Sequence, residues 1–281
     1  MKERTLTSIA IIAVALLIVV FSGYLVYPIA LGILAVVAAF EILRVINIHK
    51  NLILTLPAYI IAAVFPVLAY FVKGETVIQY LLLLAGSMFV YLLWLMAVSV
   101  FSKGKIPFSR MSEVFSAVLY VTVSVSSLSL IRYLNRAVGV FAVILVFVIS
   151  WVCDTFAFAV GSLIGKHKLI PEVSPKKTVE GSIGGVVFST IFCILYGFVI
   201  ELIFKDVTAN YLVLGFCGAI LSVVSQIGDL IASMIKREYG AKDYGRIFPG
   251  HGGVMDRFDS VLAVSTILLI VCIVFPPFVL N

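Results

Sequence analysis

Charged residues are scarce in this chain. Asp, Glu, Lys and Arg make up 12% of its 281 residues, and 63% of the residues are hydrophobic. A soluble domain usually has about 25% charged and about 45–50% apolar residues. A soluble fold of this length has too little interior to hide so much apolar surface. The composition therefore excludes an ordinary soluble domain and indicates a protein solvated by lipid.

Cysteine and histidine are also few, with four and three copies in the chain. All four cysteines lie in apolar stretches, and none is part of a Cys-x-x-Cys pair. They are therefore expected to be small buried apolar residues, neither disulfides nor metal ligands. So few thiols and imidazoles also argue against a zinc site.

The chain lacks the alternating segments of about ten residues that build a membrane barrel. It has unbroken apolar runs instead, each close to the roughly 20 residues that span a bilayer as a helix. The first run is expected to be a retained helix, because no Ala-x-Ala cleavage site follows it. The fold class is therefore an all-α polytopic membrane protein with nine predicted spans, at about 6–22, 24–46, 52–73, 76–101, 113–131, 137–162, 183–204, 208–235 and 258–279.

The number of Lys and Arg residues alternates between high and low in successive connections between the predicted spans. If the N-terminus is cytoplasmic, the inner segments hold 16 of the 20 Lys and Arg residues, and the outer segments hold Lys73, Arg132, Arg136 and Lys205. Lys and Arg are enriched on the cytoplasmic side, so this topology is predicted. It places two long polar loops, 163–182 and 236–257, on the cytoplasmic face. The same bias explains the net charge of +6 without any nucleic-acid partner.

The two parts of the chain differ in polar content. Residues 1–135 have short connections and few polar residues at membrane depth, apart from Glu41 and Glu113 near the predicted inner edge. This part is expected to be a scaffold of transmembrane helices. Residues 136–281 contain both polar loops and are expected to form the catalytic region.

Asp229 is the most informative acidic residue. Ser225, Asp229 and Ser233 follow each other at four-residue spacing, so they share one face of the span 208–235. A carboxylate at membrane depth costs about 2.5–3.5 kcal/mol on insertion scales, so it should face the protein interior or a wet cavity, with a cation as partner. Two readings stay open, a buried salt bridge and a metal or proton site.

For three further acidic residues, an ordinary structural role and a functional role are also both possible. Asp154 lies near the cytoplasmic end of its span and could reach water. Asp256 and Asp259 lie in the first turn of the last span, where acids also complement the helix dipole. Taken alone, Asp256 and Asp259 are better explained by this ordinary role, whereas a functional role is favoured for Asp154.

Cations and glycines surround these acids in the two inner loops. Lys and Arg bind phosphate oxygens, and glycine lets a backbone approach an anion closely. Carboxylates and phosphates together are the ligands that Mg²⁺ prefers. The sequence therefore predicts a site for an Mg²⁺-polyphosphate, with cations at Lys176, Lys177, Lys236, Arg237, Lys242, Arg246 and Arg257, and glycines at Gly250, Gly252 and Gly253 around His251.

The segment 233–259 carries a spaced set of residues that resembles the phosphatidate cytidylyltransferase (CDP-diacylglycerol synthase) family. The resemblance extends over about 140–281 and includes Asp154 and the run 174–181. Its matching residues in the first segment are Ser233, Lys236, Arg237, Lys242, Asp243, Gly245, Phe248, Pro249, His251, Gly252, Gly253, Asp256, Arg257 and Asp259.

The resemblance implies an enzyme that joins CTP to phosphatidic acid with Mg²⁺, releases pyrophosphate and leaves CDP-diacylglycerol. It implies that Asp229 and Asp256 hold the metal, with Ser233 one turn from Asp229 as a further candidate and a second cation possible. The expected catalytic residues are Asp229, Asp256, Lys236, Arg237, Lys242 and Arg257. The expected substrate-binding residues are Ser174, Lys176, Lys177, Thr178, Asp154, His251, Gly252 and Gly253.

The sequence leaves several alternatives open. Lys176 and Lys177 could hold either substrate, and His251 could bind phosphate or pack the Gly-Gly turn. An ion-coupled secondary transporter would explain Asp154 and Asp229 but not the phosphate-type loops, and the lack of an internal repeat disfavours it. The expected partners are CTP, phosphatidic acid and the bilayer, which is expected to be a prokaryotic inner membrane; a homodimer is compatible with the sequence.

Overall fold

A computed structural model describes residues 20–103, 105–248, 250 and 252–281. Within them, eight helices are long and apolar enough to cross a membrane. They coincide with the last eight predicted spans, so the all-α polytopic fold is confirmed. The first predicted span, 6–22, lies almost wholly outside the described residues.

The helices are α1 (Val26–Val45), α2 (Leu52–Leu68), α3 (Val77–Phe101), α4 (Phe108–Leu134), α5 (Gly139–Ile164), α6 (Val179–Ile203), α7 (Tyr211–Glu238) and α8 (Met255–Val274). Two short 3₁₀ turns, Ala69–Phe71 and Gly74–Thr76, join α2 to α3.

Two small antiparallel sheets accompany the helices. Strand β1 (Lys168–Ile170) pairs with β2 (Ser174–Thr178), and β3 (Val207–Ala209) pairs with β4 (Phe278–Leu280). The segment 163–182, which the sequence suggested to be a loop, therefore contains a β-hairpin, and helix α6 begins inside it at Val179.

The chain forms two compact units. Unit 1 comprises Met1–Leu134 and Tyr239–Arg257, and unit 2 comprises Asn135–Glu238 and Phe258–Asn281. The second polar loop thus groups with the N-terminal helices, while the hairpin β1–β2 belongs to unit 2.

In unit 1, helix α1 packs against α2 and α4, and α2 contains two prolines. Pro57 has no N–H for the carbonyl of Ile53, and the indole of Trp94 on α3 donates to that carbonyl at 2.9 Å. The carbonyl of Pro66 accepts from the Ser129 hydroxyl on α4 at 2.7 Å. The indole of Trp94 thus satisfies the carbonyl that Pro57 leaves without its helical donor, as proline-containing membrane helices require.

In unit 2, α6 packs against both α5 and α7. Small residues allow these backbones to approach each other, as is common between membrane helices. At Gly218 on α7, an added Cβ would lie 2.5 Å from the Cα of Thr190 on α6. Cys153, Cys193, Cys217 and Cys272 are all free and buried, which confirms the interpretation of the cysteines as small core residues.

Candidate active site

A cavity of about 480 Å³ lies within unit 2. Helices α5 and α7 form its walls, and the β1–β2 hairpin and the first turn of α6 complete it. Its lining residues are Asp154, Ala157, Phe158, Gly161, Ser162, Lys168, Leu169, Ser174, Lys176, Lys177, Thr178, Ser182, Gln226 and Asp229. Six of the residues singled out from the sequence therefore meet in one place: Asp154, Ser174, Lys176, Lys177, Thr178 and Asp229.

Asp229 forms an ion pair with Lys177 in this cavity. The two side chains are 27% and 25% exposed, so both remain accessible from the cavity. The sequence left a salt bridge and a functional site open for Asp229. The structure shows the salt bridge, and it lies where a ligand can enter.

Two more carboxylates interact with this pair. The Ser260 hydroxyl donates to Asp154 Oδ2 at 3.2 Å, and the Ser260 N–H donates to Asp259 Oδ1 at 2.8 Å. Asp154 and Asp259 are each within electrostatic range of Asp229. The sequence offered a helix-dipole role for Asp259 beside its place in the family pattern, and the structure buries its side chain near Asp154 and Asp229.

A hydrogen-bonded pair of neutral side chains lines the same cavity. The Ser182 hydroxyl donates to Gln226 Oε1 at 2.5 Å, and Gln226 Nε2 donates to the Ser182 carbonyl at 3.2 Å. The proposed site residues did not include Ser182, Gln226 or Lys168. Gln226 precedes Asp229 by three positions on α7, so helical spacing was the signal that could have added it.

The hairpin is fixed to the start of α6, and this places its two lysines. The Thr178 hydroxyl caps α6 by accepting from the Gly181 N–H at 3.2 Å. The Glu180 carboxylate accepts from the Lys166 N–H at 3.1 Å and contacts the His167 ring at 2.6 Å. These contacts hold both ends of the hairpin, so Lys176 and Lys177 are held in the cavity just before the first turn of α6.

In unit 1, Asp256 organises the second polar loop. Its Oδ2 atom accepts from the N–H groups of Tyr244 and Gly253, at 2.7 and 2.9 Å. Gly252 has φ +85°, and a Cβ there would lie 2.7 Å from the same oxygen. Only glycine combines that backbone conformation with so close an approach. The side chain of Asp256 therefore joins two parts of the second polar loop, at Tyr244 and at Gly253.

The other predicted site residues that the structure describes lie outside the lining of the cavity. Ser233, Lys236 and Arg237 follow Asp229 along α7, and Lys236 is in electrostatic range of Asp259. Lys242, Gly252, Gly253, Asp256 and Arg257 belong to unit 1, with Lys242 and Arg257 exposed. His251 lies outside the described residues. The pairing of Asp229 with Asp256 stays a prediction.

The carboxylate and hydroxyl oxygens of unit 2 are better ligands for a hard divalent cation than for a soft one. Among the described residues, no group of three or more His, Cys, Asp or Glu side chains has the arrangement of a metal site. Mg²⁺ needs only one or two carboxylates, because water and substrate phosphates complete its shell. The acids and hydroxyls beside Lys177 are compatible with that mode of binding.

Comparison with known proteins gives long matches. The model of the cytidylyltransferase family matches residues 2–275. A phosphatidate cytidylyltransferase of Staphylococcus aureus (strain COL) is 36% identical over 277 residues, covering 97% of this chain and 99% of the relative. A phosphatidate cytidylyltransferase of Staphylococcus haemolyticus is 35% identical over 281 residues, with the same coverage. The similarity thus includes the N-terminal helices, for which the motifs gave no information.

Proposed function

The chain belongs to the cytidylyltransferase family and is a phosphatidate cytidylyltransferase, which makes CDP-diacylglycerol with CTP, and we propose that the phosphates of its substrates bind in the cavity of unit 2. The resemblance drawn from the two inner loops is confirmed by the match along nearly the whole chain. The observation that carries the proposal is the ion pair of Lys177 with Asp229, inside a cavity that also contains Lys176 and Asp154.

The reaction needs no nucleophile from the protein. A phosphate oxygen of phosphatidate attacks the α-phosphorus of CTP, the bond from that phosphorus to the bridging oxygen breaks, and pyrophosphate leaves with the electron pair. Two anions must approach each other in line, so the enzyme's task is to neutralise charge and to hold both substrates in position. This accounts for a cavity lined by three lysines, Lys168, Lys176 and Lys177.

Lys176 and Lys177 are the phosphate-binding cations of the cavity. Both precede the N-terminus of α6, where the positive end of the helix dipole also favours an anion. A triphosphate competes with the Asp229 carboxylate for Lys177, because both are anionic. Lys236, Arg237, Lys242 and Arg257 are the further cations proposed to bind phosphate charge, and Ser174, Thr178, His251, Gly252 and Gly253 the other proposed substrate contacts.

Asp229 and Asp256 are the carboxylates proposed to hold Mg²⁺, with Ser233 one turn beyond Asp229. The bound cation supplies positive charge to the phosphate oxygens at which negative charge develops. Asp154 is proposed to contact the nucleotide or a second cation. Asp229 keeps Lys177 oriented toward the cavity until the substrate phosphates bind.

The site is proposed to open to the lipid and to the cytoplasm. Phe158 lines the cavity and is 76% exposed on the surface of α5. A lipid headgroup can therefore reach Lys177 beside this side chain while the acyl chains stay in the bilayer. The predicted topology puts the hairpin β1–β2 on the cytoplasmic face, where CTP is found.

The first test uses purified protein in detergent with labelled CTP, phosphatidate and Mg²⁺, scored for CDP-diacylglycerol. We expect Asp229→Asn and Asp256→Asn each to lower kcat by about 100-fold or more, since the electrostatic stabilisation of the transition state is lost. Asp206→Asn, an exposed acid in the connection between α6 and β3, is the matched control and should keep wild-type activity.

Near wild-type turnover in Asp229→Asn or in Asp256→Asn would refute the metal assignment for that residue. Product formation in detergent also separates the enzyme from an ion-coupled transporter, because no transmembrane gradient exists there.

A further inference from the structure

Glu41 is a buried carboxylate that the proposed reaction does not use. It lies near the end of α1 and is only 1% exposed. Its Oε2 atom accepts from the Met255 N–H at 2.8 Å, a contact between residues 214 positions apart. A buried carboxylate is costly unless hydrogen bonds compensate it, so this residue has a specific role in unit 1.

Two glycines of the second polar loop lie against the same carboxylate. An added Cβ at Gly245 or at Gly253 would collide with the carboxylate of Glu41. Neither glycine has the positive φ that would itself demand glycine. The absence of a side chain therefore serves the close packing of the loop backbone on Glu41.

Arg44 adds a second contact one turn further along α1. Its Nη2 atom donates to the Tyr244 carbonyl at 2.5 Å. The N–H group of the same Tyr244 donates to Asp256 Oδ2, as does that of Gly253. The residues that orient Asp256 are thus the ones that α1 holds in place.

We infer that Glu41 is a positioning residue for the cytidylyltransferase reaction. It fixes the backbone of the loop 239–257 from inside unit 1, and through that backbone it orients the Asp256 carboxylate. The N-terminal helices then contribute to catalysis and are more than a scaffold. The inference rests on the proposed function of Asp256.

The test compares Glu41→Ala with Glu41→Gln in the purified enzyme. Glu41→Ala removes the acceptor for the Met255 N–H and should lower kcat by about 100-fold, the cost of a misplaced catalytic group, with the KM for phosphatidate unchanged. Glu41→Gln keeps a carbonyl oxygen as acceptor and should stay within about threefold of wild type, because the hydrogen bond to the Met255 N–H is kept. Glu75→Ala, an exposed acid of unit 1, is the control for removing a carboxylate.

Limited trypsin digestion gives a second readout, independent of turnover. Lys242 and Arg246 are exposed cleavage sites in the loop 239–257. Glu41→Ala should be cut there faster than wild type and Glu75→Ala, and Glu41→Gln should be cut at the wild-type rate. If Glu41→Ala does not purify as folded protein, Glu41→Asp replaces it, because the shorter side chain loses the reach to Met255.

Wild-type kcat and wild-type digestion in Glu41→Ala, or in Glu41→Asp where it replaces it, would overturn the inference. The inference would also be overturned if Glu41→Gln folded but were as slow as Glu41→Ala. The activity would then depend on the negative charge of Glu41 and not on its hydrogen bond to the Met255 N–H. If wild type and Glu75→Ala make no CDP-diacylglycerol, the proposed function itself fails. The two failures are therefore distinguishable.

Discussion

Lys177 has one partner in the structure and another in the proposed reaction. Its ion pair with Asp229 is only about one-quarter exposed on both sides, and the cost of desolvating the two charges of such a pair offsets much of their mutual attraction. The pair is therefore poorly explained as a stabilising device. It is better explained as a cation and an anion kept together in a cavity until the phosphate groups of a substrate separate them.

Replacing Lys177 with Met is expected to raise the KM for one of the two substrates by about tenfold or more, since a charge-assisted contact to phosphate is worth about 1.5–3 kcal/mol. Steady-state kinetics with CTP and phosphatidate varied in turn will show which substrate it binds. Lys176→Met is tested beside it, and Lys73→Met, an exposed cation at a 3₁₀ turn of unit 1, is the control. Unchanged kinetics for both substrates in Lys177→Met would remove this residue from the site.

The sequence was informative about residue chemistry and poor at long-range contacts. Helical spacing placed Asp229 on a polar face, and the structure places Asp229 in the lining of a cavity. Nothing in the sequence indicated that Lys177 is its partner, because the two residues are 52 positions apart and the hairpin that carries Lys177 was not foreseen. The contact of Glu41 with Met255 was equally inaccessible, since a charge near a predicted membrane edge has many ordinary explanations.

At the scale of elements, close approach of helices holds unit 2 together. An added Cβ at Gly218 would meet the Cα of Thr190 at 2.5 Å and its N at 3.0 Å. These are backbone atoms, so they cannot move aside as a flexible side chain could. The glycine therefore sets the distance between α7 and α6 at this level.

Gly218→Ala is expected to destabilise the protein by about 1–3 kcal/mol, the usual cost of overpacking. Gly86→Ala is the matched control, because Gly86 lies inside α3 with nothing within 4 Å of the added Cβ. It should be neutral or stabilising by about 0.5–1 kcal/mol, as for Gly to Ala in a helix. Thermal unfolding in detergent measures both, and equal melting of Gly218→Ala and wild type would contradict the packing argument.

The helices could be predicted well because the bilayer imposes one length on every span. The ends of the helices could not be predicted as well, because capping contacts set them. Helix α6 begins at Val179, four residues before the predicted start, because the Thr178 side chain accepts from the Gly181 N–H there. The hairpin β1–β2 was missed because its sequence lacks the pattern of a strand. Ser174, Pro175 and Lys176 show no alternation of apolar and polar residues, which is the signal that predicts a strand.

At the scale of the whole molecule, topology connects the charges to the chemistry. Each helix that crosses the bilayer reverses the side on which the next connection lies. Three spans, α4, α5 and α6, separate the connection at Lys105 from the connection at Lys205, so these two lysines are predicted to lie on opposite sides. One more span, α7, returns the chain to the side of Lys105 for the loop 239–257. The distribution of Lys and Arg assigns that side to the cytoplasm.

Cysteine labelling in intact cells tests this assignment. The four native cysteines are buried and should react little, so Lys105→Cys and Lys205→Cys can be compared in the otherwise native protein; both positions are exposed. A membrane-impermeant maleimide should label Lys205→Cys in intact cells and Lys105→Cys only after the membrane is opened. The reverse pattern would put the loop 239–257 outside the cell, away from CTP, and the proposed cytoplasmic site could not stand. Labelling of both positions in intact cells would instead contradict the odd number of spans between them.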